Sequence, residues 1–236
     1  MKIISIGDIH GRDYWKKINF SLYDKVVFVG DYLDSYYYTD NQILENFFDI
    51  MQLKKDNLEK VILLLGNHDI QYYFLDEGFG CSGYRPTMAA SLKEAFKGNR
   101  DLFQMAFQIE NYLWTHAGVS KGWLDWNKKE IDDFNERFEC INLADTFNKM
   151  LQAKENRLLH QIGKKRGGRY PSGGITWADR IETSNNYLDN YHQIVGHTPI
   201  NIITKFGDDK SSIRYIDVLD EKKIQRDFYE FELKTT

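Results

Sequence analysis

The chain has 236 residues, enough for one hydrophobic core, and its 28% charged and 42% hydrophobic residues are ordinary for a globular protein. A net charge of −4 gives no electrostatic case for a nucleic-acid partner, and two cysteines, Cys81 and Cys140, are too few for a disulfide framework. The amino-terminal segment lacks the apolar stretch of a signal peptide and no run is long enough to cross a membrane, so reduced thiols in a cytoplasmic protein without a membrane partner are expected.

Lys2–Ile6 reads as a first strand that stops at Gly7-Asp8-Ile9-His10-Gly11. Arg12–Asn19 is polar with spaced aromatics and is expected as a helix returning over the sheet. A second apolar run, Lys25–Val29, stops at Gly30-Asp31-Tyr32-Leu33-Asp34. Asn41–Lys55 places Ile43, Leu44, Phe47, Phe48 and Met51 at helical spacing. The third run, Val61–Leu65, is aliphatic throughout, which suits a strand buried on both faces, and it ends in a turn at Gly66-Asn67-His68-Asp69. Strands alternating with helices imply a parallel sheet covered by helices.

Tyr72–Gly83 is expected as a loop, Thr87–Phe96 as a helix, and Gln104–Trp114 as one strand ending in Thr115-His116-Ala117-Gly118. From Trp123 to Leu159 one or two helices are expected, with apolar stripes Ile131, Phe134, Phe138, Ile141 and Leu143, Phe147, Leu151. A basic, glycine-rich loop, Lys164–Gly174, leads to Ile175-Thr176-Trp177-Ala178-Asp179-Arg180. Ile194-Val195 is a short strand before Gly196-His197-Thr198-Pro199, and the segments 213–218 and 228–233 read as closing strands of a second sheet.

Five strand ends thus carry Asp8 with His10, Asp31 with Asp34, Asn67 with His68, then His116 and His197. A mixed set of oxygen and imidazole donors suits manganese, iron or zinc, whereas magnesium or calcium would favour oxygen alone. Asp8, His10, Asp31, Asn67, His116 and His197 are too many for one tetrahedral ion. They are enough for two ions roughly 3.5–4 Å apart with a shared carboxylate, the arrangement that hydrolyses phosphate esters. Such a reaction also needs an acid for the leaving group and positive charge for the phosphoryl oxygens.

These five motifs, in this order over nearly the whole chain, resemble those of the calcineurin-like metallophosphoesterases, most closely the serine/threonine phosphoprotein phosphatase branch and its bacterial and phage relatives. The resemblance implies a single domain over 1–236, an α/β fold with a two-sheet β-sandwich flanked by helices, and a helical cap-like region at about 123–160. It implies that Asp8, His10 and Asp31 hold one metal, that Asp31 bridges, and that Asn67, His116 and His197 complete the second, most simply as a manganese pair with iron or zinc as alternatives. His68 would be the general acid and Asp34 its orienting carboxylate, a pairing that favours protonated imidazole. The tryptophan segment makes Arg180 the substrate phosphate clamp, with Asn67 as a second phosphate contact. Arg180 stands one residue further from Trp177 than the phage pattern places its arginine, and Ser35-Tyr36 replaces the Arg-Gly that follows the second motif in the phosphoprotein phosphatases. Arg12, Arg85 and Arg169 are the candidates to supply that missing charge, and Asp69 stands where that branch carries glutamate.

The implied activity is hydrolysis of phosphate monoesters, including those of phosphoproteins, by a metal-activated hydroxide. A hydrolase of nucleotides or dinucleoside polyphosphates is the alternative within the class, and a metal-free scaffold of the same fold is the alternative outside it. His160 and His192 read as ordinary hydrogen-bonded histidines, Lys164-Lys165-Arg166 as a solvated loop, and Tyr36-Tyr37-Tyr38 as packing residues.

Overall fold

The computed structural model of the protein describes residues 1–220 and 227–233. The chain divides into two compact units, residues 1–103 with 218–236, and residues 104–217. The first unit opens with strand β1 (Lys2–Ile6), β2 (Lys25–Phe28), helix α1 (Asp40–Asp56), β3 (Val61–Leu64), α2 (Asn67–Tyr73), α3 (Pro86–Lys97) and a short edge strand β4 (Phe103–Gln104). β1, β2 and β3 are parallel, with Ile4 opposite Val26 and Val27 opposite Ile62. Every residue of β3 is buried, as its unbroken aliphatic run requires. Helix α1 starts where Thr39 Oγ1 accepts the Gln42 amide and Gln42 Oε1 accepts the Thr39 amide, and its buried stripe includes Ile43, Phe47, Ile50 and Met51. Phe47 packs among Tyr32, Phe96 and Phe103 with ring centroids 5.2–6.0 Å away.

Three sequence expectations change here. Arg12–Asn19 forms no α-helix; the segment makes a tight helical turn at Tyr14–Lys17, and a second one follows it at Phe20–Leu22. The first turn has no side-chain cap, so nucleation is not supported, and the segment is instead pinned by buried Trp15, whose Nε1 donates to Asn46 Oδ1 at 3.0 Å. Gly66-Asn67-His68-Asp69 is not an isolated turn but the first turn of α2. Tyr36 and Tyr37 are exposed, at 81% and 48%, and are not packing residues.

The second unit continues with β5 (Ala106–Ile109), β6 (Tyr112–Thr115), α4 (Lys121–Trp126), α5 (Lys128–Phe138), α6 (Leu143–Ala153), α7 (Arg180–Ser184), β7 (His192–Val195), β8 (Thr204–Gly207) and β9 (Ser212–Tyr215). Its sheet runs β5-β6-β7-β9-β8, with β6, β7 and β9 parallel and both edges antiparallel. The expected single strand over Gln104–Trp114 is a hairpin, because Glu110 takes a left-handed conformation at φ 52° and turns the chain. The helical stretch after Trp123 is three helices: Ile131 and Phe134 are buried, but α5 ends at a left-handed Glu139, which leaves Phe138 and Ile141 out of the stripe.

The last strand, β10 (Tyr229–Glu232), pairs antiparallel with β1, Ile3 opposite Phe231. The expectation had put this segment in the second sheet. Its actual place covers the open edge of β1, and the Leu233 amide continues the pairing to Met1 O at 2.8 Å. The fold is therefore α/β with two mixed five-stranded sheets and helices flanking them, in agreement with the sequence. Among the described residues no helix is long and apolar enough to cross a membrane.

Both histidines set aside in the sequence are hydrogen-bonded, His192 Nδ1 to Ser212 Oγ at 2.8 Å and His160 Nδ1 to Thr176 Oγ1 at 3.0 Å. Burial pushes the His160 pKa down to about 3. The unfolded chain takes up this proton below its ordinary value of about 6.5, whereas the folded chain does not, so stability is complete above that pH and is lost as pH falls toward 3. The slope from this group is up to about 1.4 kcal/mol per pH unit. Urea unfolding at about pH 7 and about pH 4.5 should show the wild type losing more stability between the two than His160→Asn does; equal losses would remove His160 from the acid limb.

Candidate metal centre

In the first unit the ends of β1, β2 and β3 are bound into one another by backbone and carboxylate bonds. The Ile9 and His10 amides donate to Asp31 O at 3.0 and 2.7 Å, and Gly11 donates to Tyr32 O at 3.1 Å. These bonds involve His10 and Asp31, which are left-handed with φ of 45° and 52°; Asp34, three residues on, is left-handed as well at 56°. Asp69, fully buried in the first turn of α2, takes three amides at once: Asp31 N at 2.7 Å, Tyr32 N at 2.9 Å and Gly66 N at 2.9 Å. The approach is close enough that a Cβ on Gly66 would stand 2.6 Å from the Asp31 amide nitrogen.

His10 Nδ1 faces two carbonyls, Leu33 O at 2.9 Å and Asp34 O at 2.8 Å. Carbonyls only accept, so Nδ1 carries the proton and Nε2 is left with its lone pair. Burial lowers the His10 pKa, His68 and Arg12 add to the lowering, and the attraction of Asp31 does not overcome them. The ring is therefore neutral, the state a metal ligand needs. Its Nε2 lies 3.7 Å from Asp31 Oδ2. Two donors on one ion, each about 2.1 Å from it, stand at most about 4.2 Å apart, so this pair fits a common ion. His10, Asp31 and His68 each offer a ligand atom within 4.8 Å of the others'. Asp8 and Asn67 are buried at the ends of β1 and β3.

His68 is placed differently. Its amide donates to Asp31 Oδ1 at 2.9 Å and its Nδ1 donates to Asp34 Oδ2 at 2.9 Å. Burial works against a charge on this ring, but Asp31, the bond to Asp34 and Cys81 outweigh it and push the pKa up to about 12. Asp34 is itself fixed by α2: Tyr72 donates to Oδ1 at 2.5 Å and Gln71 Nε2 donates to Oδ2. His68, Gln71 and Tyr72 follow helical spacing, so one face of α2 grips one carboxylate. The Nε2 of His68 is hydrogen-bonded to Cys81 Sγ at 3.4 Å, and Asn67 Nδ2 donates to the same sulfur at 3.0 Å.

In the second unit β6 and β7 end side by side. Gly196 N donates to His116 O at 2.8 Å, and His116 Nε2 lies 3.2 Å from His197 Nδ1, again within the span of one ion. His197 is left-handed at φ 63°, and Trp177 meets its ring edge-on at 5.9 Å. Arg180, the expected clamp, lays its guanidinium over Phe206 and Tyr215 at 5.4 and 5.6 Å. Arg166 is the cation beside His197: its Nη2 donates to Thr198 Oγ1 at 2.8 Å, and its Nε lies 2.8 Å from Asp179 Oδ2.

The family profile described as calcineurin-like phosphoesterase matches residues 1–230. The chain belongs to the calcineurin-like phosphoesterase family. Among solved structures it is similar to a cold-active protein-tyrosine phosphatase of a psychrophilic Shewanella species, at 17% identity and a TM-score of 0.51 over 92% of this chain and 71% of that one. A mutant of a cold-active protein tyrosine phosphatase gives 18% identity and a TM-score of 0.57 over the same shares, 92% and 71%. A protein serine/threonine phosphatase of Saccharomyces cerevisiae gives 17% identity over 92% of this chain and 55% of its own, with a TM-score of 0.39, below the level that shows a common fold. No curated protein matches the chain.

Within this phosphoesterase the structure brings Asp8, His10, Asp31, Asp34, Asn67 and His68 to the strand ends of the first unit, and His116 and His197 to those of the second. Of the arginines considered for the missing charge, Arg85 reaches the segment after Asp34, with Nη2 donating to Ser35 O and Nη1 2.6 Å from Asp40 Oδ1. Arg12 is buried against Asp8 O and Ile9 O, and Arg169 lies over the Tyr170 ring. The sequence reading missed the brace made by Asp69 and the neighbours Gln71, Tyr72 and Cys81. A helix start at Asn67 would have pointed to Gln71 and Tyr72 at three and four residues from His68; nothing in the irregular segment around Cys81 marks it.

Asp69→Asn places an amide NH2 against backbone donors in a buried site, so it is expected to destabilise the chain by about 3 kcal/mol. Urea unfolding measures this, and a change under about 1 kcal/mol would show that the three amides find other acceptors.

Proposed function

We propose that the chain is a phosphatase that hydrolyses phosphate monoesters, those of phosphoproteins included, with two divalent ions held by Asp8, His10, Asp31, Asn67, His116 and His197. The donor set suits manganese, with iron or zinc as alternatives. Bound there, the ions would supply Lewis-acid polarisation of the phosphoryl group and a hydroxide near neutral pH. The rest of the reading concerns the side chains. His10, neutral and fixed by two carbonyls, is a ligand through Nε2. Asp31 would be the carboxylate shared by the two ions, and its Oδ1 accepts from the His68 amide.

The observation that carries the reading is the bond from His68 Nδ1 to Asp34 Oδ2, 2.9 Å long. Nδ1 is committed to Asp34, so Nε2 is the nitrogen that can hand a proton to the leaving alkoxide. The pull of Asp31 and Asp34 keeps the ring charged, as a general acid must be before the step. Asn67 adds an amide contact for the substrate phosphate, beside the acid on the same turn of α2. Arg180 is the phosphate clamp of this scheme; its guanidinium lies over the Phe206 and Tyr215 rings, and a stacked guanidinium keeps its N–H edge for phosphoryl oxygens.

Hydrolysis of an aryl phosphate should require manganese and be abolished by a chelator. Asp31→Asn should lose both turnover and tight manganese binding, whereas His68→Asn should keep the metal and lose about a hundred- to ten-thousandfold in kcat. Metal titration by calorimetry alongside steady-state kinetics checks both. Full activity in His68→Asn would reject the acid, and turnover without metal would reject the centre.

A further inference from the structure

Asp34 is held by more than its bond to His68. It is 2% exposed and left-handed at φ 56°, and three side chains of α2 converge on its carboxylate. His68 Nδ1 lies 2.9 Å from Oδ2, Gln71 Nε2 donates to the same oxygen, and Tyr72 donates to Oδ1 at 2.5 Å. A buried carboxylate with donors on both oxygens has one orientation left to it.

The two supporting side chains are themselves oriented from behind. The Arg85 amide donates to the Tyr72 hydroxyl at 2.8 Å, and an amide only donates, so the phenol proton lies on the Asp34 side. The Cys81 amide donates to Gln71 Oε1 at 3.0 Å, which turns Gln71 Nε2 toward Asp34 in the same way. Burial, and then the carboxylate itself, push the Tyr72 pKa well above its ordinary value, so the phenol keeps its proton. The Tyr72 ring is fully buried and stacks on Tyr84, centroids 5.3 Å apart at 23°. Arg85 is anchored in turn, Nη2 on Ser35 O and Nη1 2.6 Å from Asp40 Oδ1. The segment after Asp34 is thus tied back to Asp34 through Arg85 and Tyr72. Because His68 Nδ1 points at Asp34, any freedom in the carboxylate becomes freedom in the direction of Nε2.

We propose that Tyr72 and Gln71 are the positioning residues of the general acid: they fix the Asp34 carboxylate, and through it the direction in which His68 presents its proton. The inference rests on the phosphatase reading above and adds to it two residues outside the five strand-end motifs.

The test uses the manganese-loaded full chain and a series of aryl phosphates whose leaving phenols differ in acidity. An acid matters little to a phenol that leaves readily as its anion and much to one that does not. Tyr72→Phe is expected to keep KM and manganese binding within about twofold of wild type. Its kcat should fall about twofold for the most acidic phenol and about tenfold or more for the least acidic. Gln71→Met should show the same trend, which keeps the test available where Tyr72→Phe does not fold. In the Asp34→Asn background neither substitution should cost kcat further, since all act through one bond. Tyr73→Phe, at the neighbouring tyrosine whose ring lies under Arg100, should show no dependence on the leaving group. In the zinc-loaded chain, the NMR signal of the His68 Nδ1 proton should exchange with water faster in Tyr72→Phe than in wild type or Tyr73→Phe. Losses equal across the series, losses that add to those of Asp34→Asn, or an unchanged proton exchange overturn the assignment and leave the phosphatase reading intact. A wild type that hydrolyses none of the series overturns both.

Discussion

One buried carboxylate carries the geometry of the first unit. Where β2 and β3 leave the sheet, the amides of Asp31, Tyr32 and Gly66 lose their strand partners, and unpaired buried amides are costly. Asp69 receives all three. Because Asp69 stands in the first turn of α2, the same residue that closes the backbone of the β2 end also fixes where α2 begins. The positions of Asn67 and His68 follow from that, as does the reach of Gln71 and Tyr72 to Asp34. The glycine at position 66 is a consequence as well, since the Asp31 backbone comes too near for a side chain.

Two histidines a short distance apart then take opposite proton states for identifiable reasons. The His10 and His68 rings lie 4.9 Å apart at 85°. Both are removed from water, which disfavours charge in each. His10 bonds through Nδ1 to carbonyls, which carry only partial charge, and its pKa falls. His68 bonds through Nδ1 to a carboxylate and its pKa rises. A charged neighbour also lowers the pKa of the other ring, so protonated His68 helps keep His10 neutral. The division between a lone-pair donor and a proton donor is thus written in the second atoms of the two side chains' environments, not in the residue type.

The five motifs were legible because each couples an apolar strand to a sharp exit, and both halves have a sequence signature: aliphatic runs such as Val61–Leu65, and glycine beside aspartate, asparagine or histidine. The α/β order of the first unit was legible for the same reason. What could not be read was whatever depends on tertiary placement. β10 pairs with β1 across almost the whole chain, and no local pattern distinguishes one sheet edge from the other. Cys81 reaches His68 from an irregular segment whose backbone is set by the Gln71 side chain accepting the Cys81 amide at 3.0 Å. Arg166 looked like one cation in a solvated run of three, and only burial and a facing carboxylate separate it from its neighbours.

Backbone strain sorts these residues in a way that residue type alone does not. Eight non-glycine residues among those described have positive φ, and they fall into two groups. Glu110, Glu139, Lys154 and Asn190 close turns or helix ends, where the left-handed conformation satisfies terminal carbonyls and the side chain is free to point to water. His10, Asp31, Asp34 and His197 lie instead at strand exits, with their side chains turned inward among other donors. A left-handed residue costs on the order of 1 kcal/mol or more and needs a surrounding structure that over-determines it. Here that structure is visible: two amides on Asp31 O, three on the Asp69 carboxylate, and Gly196 bonded to His116 O. In an ordinary strand, successive side chains would alternate between the two faces of the sheet. The left-handed exits break that alternation and let neighbouring residues present donors in one direction, which is the condition a metal centre at the edge of a sheet has to meet.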